Sequence, residues 1–260
     1  MNVSAVLITL NEEHNIEAAI RSVSWAREVV VVDAYSSDST PEICRGLGAR
    51  ILQKEWKGYV DQKNFALAQA AERWVLSLDA DERVSPELQS EILQLNGSNF
   101  AGYRIRRRTL FLNRWIDHTS WSPDFQLRLF DKTRGRWRGG RLHETVQVEG
   151  PVGQLEAPLL HYSYRCVSDF VKRLDRYSQL AAEDCYERGV RVGWHHLLGH
   201  PAAAFVKSYF LKRGFQDGLP GLSVSVLAAI SVFFRYLKVL EMQRSVKAVN
   251  HQDTQAPTDP

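Results

Sequence analysis

Apolar residues in the first third of the chain fall in short runs, each closed by a polar or acidic residue. Residues 3–10 form one such run, and Asn11-Glu12-Glu13-His14-Asn15 breaks it. Ile16, Ala19, Ile20 and Val23 then recur at helical spacing. A second run, residues 28–32, ends at Asp33. Ser36-Ser37-Asp38-Ser39-Thr40-Pro41 follows as a turn, with Asp38 or Ser39 placed to cap a helix that Pro41 begins. Residues 49–52 predict a third strand, 61–71 a helix, and 73–78 a fourth strand that runs into Ser77-Leu78-Asp79-Ala80-Asp81-Glu82. Strand and helix in alternation, with short connections, predict a parallel sheet covered on both faces.

After Asn96-Gly97-Ser98 the pattern changes. Residues 103–108, 125–130 and 145–148 read as strands rich in Arg and Trp. They predict a smaller mixed region that completes the sheet and walls a cleft. From Val167 the chain reads as helix, with Val167, Phe170, Val171, Leu174, Tyr177 and Ala181 on one face. Residues 193–243 are strongly apolar, with Lys207, Lys212, Arg213, Arg235 and Lys238 interspersed. The longest charge-free run, residues 218–234, is short of the ~20 apolar residues of a spanning helix. It suits a segment lying at a membrane surface. The expected organisation is a catalytic domain over 1–165, a membrane-associated helical region over 166–250, and a disordered polar tail over 251–260.

Composition narrows the function. At 44% hydrophobic and 24% charged, 260 residues suffice for one substantial core. The net charge of +3 is too small to suggest a nucleic-acid binder. Three scattered cysteines without a C-x-x-C pair suit a reducing compartment. The chain enters a strand pattern at once, with no charged stretch and no cleavage site of a signal peptide.

The chemistry gathers where strands end. In open α/β sheets, ligands bind outside the carboxyl ends of the strands, and Asn11, Asp33 and Asp79 all fall there. On an extended chain residues i and i+2 point the same way, so Asp79 and Asp81 can share one divalent cation such as Mg²⁺ or Mn²⁺. His143 is a further candidate ligand. A general base is sought among carboxylates. Glu144, after Gly139-Gly140-Arg141-Leu142-His143, is the first candidate, and Asp124, after Pro123, the second. Arg104, Arg106, Arg107, Arg108, Arg114, Arg134, Arg136, Arg138 and Arg141 make the middle of the chain basic. They suit phosphates of an acceptor or anionic headgroups.

Four motifs in order resemble glycosyltransferase family 2. They are Val6-Leu7-Ile8-Thr9-Leu10-Asn11-Glu12, Val30-Val31-Val32-Asp33 with Ser36-Ser37-Asp38-Ser39-Thr40, Gln62-Lys63-Asn64-Phe65-Ala66, and Leu78-Asp79-Ala80-Asp81-Glu82. Trp121-Ser122-Pro123-Asp124-Phe125-Gln126-Leu127-Arg128-Leu129-Phe130, Leu142-His143-Glu144 and Gly214-Phe215-Gln216-Asp217-Gly218 are similar to the lipopolysaccharide core β-glucosyltransferase group. The resemblance implies a GT-A fold, a Rossmann-like mixed sheet with flanking helices, plus a C-terminal helical region. It implies an inverting, metal-dependent transfer of a hexose such as glucose from a UDP-sugar. The acceptor would be a lipid-linked glycan such as lipopolysaccharide inner core, and the place the cytoplasmic face of a bacterial inner membrane. By position, Thr9, Asn11 and Glu12 would line the nucleoside, Asp33 would take the base N–H, and Lys63 would sit beside the diphosphate. Tyr35 departs from the family pattern, standing where a small residue is usual. The alternatives are a nucleotidyltransferase, against which the glycine-free first loop speaks, and a non-catalytic scaffold for carbohydrate or membrane.

Overall fold

The computed structural model describes residues 1–95, 99–139, 144–164 and 166–253, with side chains as far as residue 245. The chain divides into two compact units, Met1–Phe111 with Pro123–Ser163, and Leu112–Ser122 with Tyr164–Pro260.

The first unit begins with β1 (Val3–Thr9), α1 (Ile16–Ser22), β2 (Glu28–Asp33), α2 (Thr40–Gly46), β3 (Arg50–Gln53), α3 (Tyr59–Gln69) and β4 (Trp74–Asp79). It continues through β5 (Glu82–Val84), α4 (Pro86–Gln94) and β6 (Gly102–Phe111). The insert Leu112–Ser122 carries β7 (Arg114–Ile116) and belongs to the second unit. The first unit then resumes with β8 (Asp124–Asp131), β9 (Gly135–Gly139), β10 (Glu144–Val148) and β11 (Val152–His161). Eight of its strands lie in the order β3-β2-β1-β4-β8-β6-β11-β5. The first four are parallel; β8 runs antiparallel to β4 and to β6, and β11 parallel to β6. The sheet is therefore mixed, with the basic middle region completing it, as a GT-A fold requires. β9 and β10 form a separate antiparallel hairpin.

The apolar runs are unbroken because both faces of the parallel half are covered. Val3, Ala5 and Leu7 pack with Ile16, Ile20, Leu88 and Ile92 on one face. Val6 and Ile8 pack with Ala66, Leu67 and Phe130 on the other. Ser85 accepts from the Leu88 N–H at 3.1 Å and caps α4 ahead of Pro86. At α2 the Ser39 side chain makes no cap bond, and Asp38 Oδ1 accepts instead from Thr40 N at 3.0 Å.

The second unit holds α5 (Val167–Glu187), α6 (Trp194–Leu197), α7 (Gly199–Val206), a π-helical turn Lys207–Leu211, a 3₁₀ turn Gly214–Asp217, and α8 (Gly218–Asp253). The buried stripe of α5 is Phe170, Leu174, Ser178 and Ala182. The expected face was wider. Val167, Val171 and Tyr177 are exposed, and the buried stripe runs instead through the small side chains of Ser178 and Ala182 on a helix that packs against α8. Gly221 has a similar reason: a Cβ there would lie 2.0 Å from the Gly214 carbonyl oxygen.

Candidate active site

The parallel register brings three sequence-predicted residues within one residue of the same level. Asp33 at the end of β2 pairs with Thr9 at the end of β1, and Asp79 at the end of β4 pairs with Ile8. Just beyond the strand ends, the loop after β1 is latched to the loop after β2. Asn11 N donates to Ser36 Oγ at 2.8 Å, and Asn11 Oδ1 accepts from Ser37 N at 2.8 Å. Glu12 N donates to Thr40 Oγ1 and Glu13 N to Asp38 Oδ2. Asn11 and Tyr35 both sit at positive φ, 56° and 60°. Asn tolerates that region and a bulky residue does not, so Tyr35 holds a conformation in which a smaller residue would be unstrained. Fully buried Asp33 accepts from Ser36 N at 2.9 Å and from Ser36 Oγ, and so shapes this turn. Thr9 Oγ1 is buried and, among the described residues, has no hydrogen-bond partner, an unsatisfied polar atom that calls for an explanation.

An alternating chain of charges lies next to these loops. Lys63, buried on α3, places Nζ 3.0 Å from Asp79 Oδ1, 3.3 Å from Glu144 Oε1 and 4.3 Å from the Trp137 ring centre. Arg128, buried on β8, reaches Asp79 Oδ2 at 2.5 Å and Glu82 Oε1 at 2.6 Å. Arg107 on β6 joins Glu82 at 3.3 Å to Asp124 at 2.7 Å. Both base candidates, Glu144 and Asp124, are thus linked through Asp79 and Glu82. Burial alone would raise the Asp79 pKa, but Arg128 and Lys63 beside it outweigh that and hold the carboxyl well below its usual range. Burial likewise works against the Arg128 charge, and Asp79 and Glu82 more than restore it.

The two aspartates of the acidic cluster do not take the same partners. β4 ends at Asp79, and Ala80-Asp81 form a turn before β5, so the extended backbone assumed for i and i+2 is absent. Asp79 is engaged by Lys63 and Arg128, whereas Asp81 Oδ2 lies 3.4 Å from His161 Nε2. The other imidazole nitrogen, Nδ1, is hydrogen-bonded to Thr109 Oγ1 at 3.0 Å. His161 reaches this position because β11 pairs with β5, setting His161 opposite Glu82. Reading the sequence missed His161, Arg128 and Arg107 as members of the site. His143 lies outside the described residues. Among the described residues no group of three or more His, Cys, Asp or Glu side chains is arranged around one point as metal ligands. A divalent cation here would have Asp81 and His161 as its protein donors, and Mg²⁺ commonly completes such a set with phosphate oxygens and water. The spacing of the pair and the fixed orientation of the imidazole fit that use.

Arg128 is expected to carry the stability of this site. Arg128→Met leaves Glu82 fully buried and facing Asp79 without the shared cation. Unfolding in urea should show a loss of about 3–5 kcal/mol, the cost of breaking a buried ion pair. A loss no larger than the ~0–1 kcal/mol of a surface pair would contradict this.

The model of the family described as glycosyl transferase family 2 matches residues 4–148. An uncharacterized glycosyltransferase of Rickettsia typhi is 31% identical over 95% of this chain and 89% of its own length. The lipopolysaccharide core biosynthesis glycosyltransferase LpsC of Rhizobium meliloti is 29% identical over 92% of each chain. Among solved structures, S. aureus TarS 1–349 in complex with UDP aligns over 94% of this chain and 92% of its own at 15% identity, with a TM-score of 0.46.

Proposed function

The chain belongs to glycosyltransferase family 2 and is a glycosyltransferase, and from that premise we propose that it transfers a hexose such as glucose, with inversion and with a divalent cation, from a UDP-sugar to a lipid-linked glycan of the lipopolysaccharide inner-core type. One observation carries this: Thr9, Asp33 and Asp79 end neighbouring parallel strands, Lys63 reaches Asp79 from α3, and Asp81 in the next turn lies beside His161. The kinship to LpsC supports the choice of acceptor.

In this reading the unpartnered hydroxyl of Thr9 and the free lone pairs of Asp33 bind the nucleoside. Lys63 neutralises the diphosphate as it leaves. Mg²⁺ or Mn²⁺, when held by Asp81 and His161, supplies further charge neutralisation to the leaving diphosphate. Glu144 takes the proton of the acceptor hydroxyl. It is preferred to Asp124 on geometry. Asp124 Oδ2 already accepts from Arg107 and Oδ1 from Gln126 at 2.6 Å, while among the described residues Glu144 has one side-chain hydrogen bond, from Lys63 at 3.3 Å. Titrating the protein calorimetrically with UDP-glucose, with and without Mn²⁺, tests the donor assignment. Binding that needs the cation is expected; affinity equal in EDTA would remove the metal from the account.

The second unit is proposed to rest on the membrane where such an acceptor resides, at the cytoplasmic face. Gly214–Ser245 is long and apolar enough to cross a membrane, with 22% of its most apolar window buried. Phe210, Leu211, Phe215 and Leu219 are exposed, and Lys207, Lys212 and Arg213 accompany them at ~1 kcal/mol each near an anionic surface. Leu211→Asp with Leu219→Asp should move the protein from the membrane pellet to the supernatant and leave donor hydrolysis intact. A wild-type protein that is soluble without detergent and ignores anionic vesicles would contradict this.

A further inference from the structure

A second concentration of positive charge lies on the sheet unit, and none of the acids Asp79, Asp81, Glu82, Asp124 or Glu144 lines it. A cleft of about 600 Å³ opens between α3 and the β9–β10 hairpin. Asn64, Lys132, Arg134, Arg136, Arg138 and Glu149 line it, four cations against one carboxylate. The alternation of β9 creates this face. Trp137 is buried, and its neighbours Arg136 and Arg138 are exposed together on the opposite side.

Among the described residues none of the four cations forms an ion pair. Lys132 Nζ donates to the carbonyl of Ala70, just past α3, and Arg134 Nε donates to the Glu149 carbonyl at 2.8 Å. Arg136 and Arg138 have no hydrogen-bond or ion-pair partner among the described residues. Scattered surface cations are simply solvated, but like charges gathered in a concavity repel each other and focus a positive field. Guanidinium forks match phosphate oxygens bidentately. The Glu149 carboxylate and Gln147 beside them can take hydroxyl groups. We propose that this cleft binds a phosphate ester flanked by hydroxyls, the chemistry shared by a phosphorylated sugar of a glycan and a phospholipid headgroup.

Its wall is continuous with the catalytic side of the unit. Asn64 Nδ2 donates to the Trp137 carbonyl at 3.0 Å, and Asn64 Oδ1 accepts from Trp137 N at 2.9 Å. The ring of Trp137 lies under Lys63, and the partner strand begins at Glu144. A phosphate ester held here steadies the hairpin that presents Glu144. This consequence rests on the proposed role of Glu144; the binding itself does not.

The test uses the full-length protein with excess UDP and diamagnetic Mg²⁺ present, so that the donor site is filled. Inorganic phosphate is titrated and followed by ³¹P line broadening, and phosphatidylglycerol vesicles are added in a parallel flotation assay. The double variant Arg136→Ser, Arg138→Ser should weaken phosphate binding about tenfold or more, as loss of charged hydrogen bonds does. The double lysine variant, which keeps charge without the fork, should recover part of it. Unchanged flotation of the serine variant assigns the cleft to a glycan or free phosphate, and reduced flotation assigns it to a headgroup. A wild-type protein that binds no phosphate, or a serine variant that matches wild type in both assays, overturns the proposal. UDP-glucose hydrolysis is measured alongside. Its absence from the wild type would count against UDP-glucose as the donor and leave the phosphate result standing.

Discussion

Asp81→Ala is expected to reduce transfer by about 10³-fold or more while the protein still folds, because it removes the carboxylate proposed to hold the cation, a role worth several kcal/mol of transition-state charge stabilisation. The structure separates this residue from its neighbour. Asp79 is tied to Lys63 and Arg128, and its loss would disturb a buried charge network. Asp81 Oδ2 lies 3.4 Å from His161 Nε2, and the residue stands in the turn after β4 rather than on the strand. A steady-state assay at saturating Mn²⁺, with circular dichroism melting as the control for folding, gives the answer. His161→Ala should follow in the same direction and weaken Mn²⁺ binding. Activity near wild type in the Asp81 variant would dispose of the metal site.

Glu144→Gln should lower kcat by about 10²–10⁴, the range of a lost general base, with donor affinity retained. Glutamine keeps the size of the side chain and can still accept from Lys63 Nζ through its carbonyl oxygen, so the contact at 3.3 Å need not be lost. What disappears is the ability to take a proton from the acceptor hydroxyl. Asp124→Asn is the paired control. It should disturb the contacts with Arg107 and Gln126 and cost less in kcat. If Asp124→Asn produces the larger fall in kcat and Glu144→Gln does not, the two assignments must be exchanged.

Much of the parallel half was legible because burial on both faces leaves continuous apolar runs, and each run is ended by the residue that matters. Asp33 and Asp79 close their runs in the sequence and end β2 and β4 in the structure, whereas the first run reads on to Leu10 before Asn11 and its strand ends at Thr9. The later strands were harder to read. β11 contains Gly153 and Pro158 and shifts register between Leu155 and Leu159, so it lacks a clean alternation. β9 is a five-residue strand that begins and ends in glycine. His161 carries no local signal; only the pairing of β11 with β5, across nearly a third of the chain, sets it beside Asp81. Arg128 did carry one. A lone charge between Leu127 and Leu129 in an apolar strand has to find a partner, since an unpaired buried charge is too costly. The spacing of Asp79 and Asp81 misled in a specific way. The i, i+2 rule holds only while the backbone stays extended, and it stops being extended at Ala80.

The most direct test of the central claim is the anomeric outcome of transfer from UDP-glucose, with its α linkage, to a lipid-linked inner-core glycan, read by proton NMR with Mn²⁺ and again in excess EDTA. A β-linked product that forms only with the cation is the predicted result. An α-linked product, or transfer undiminished in EDTA, would contradict it.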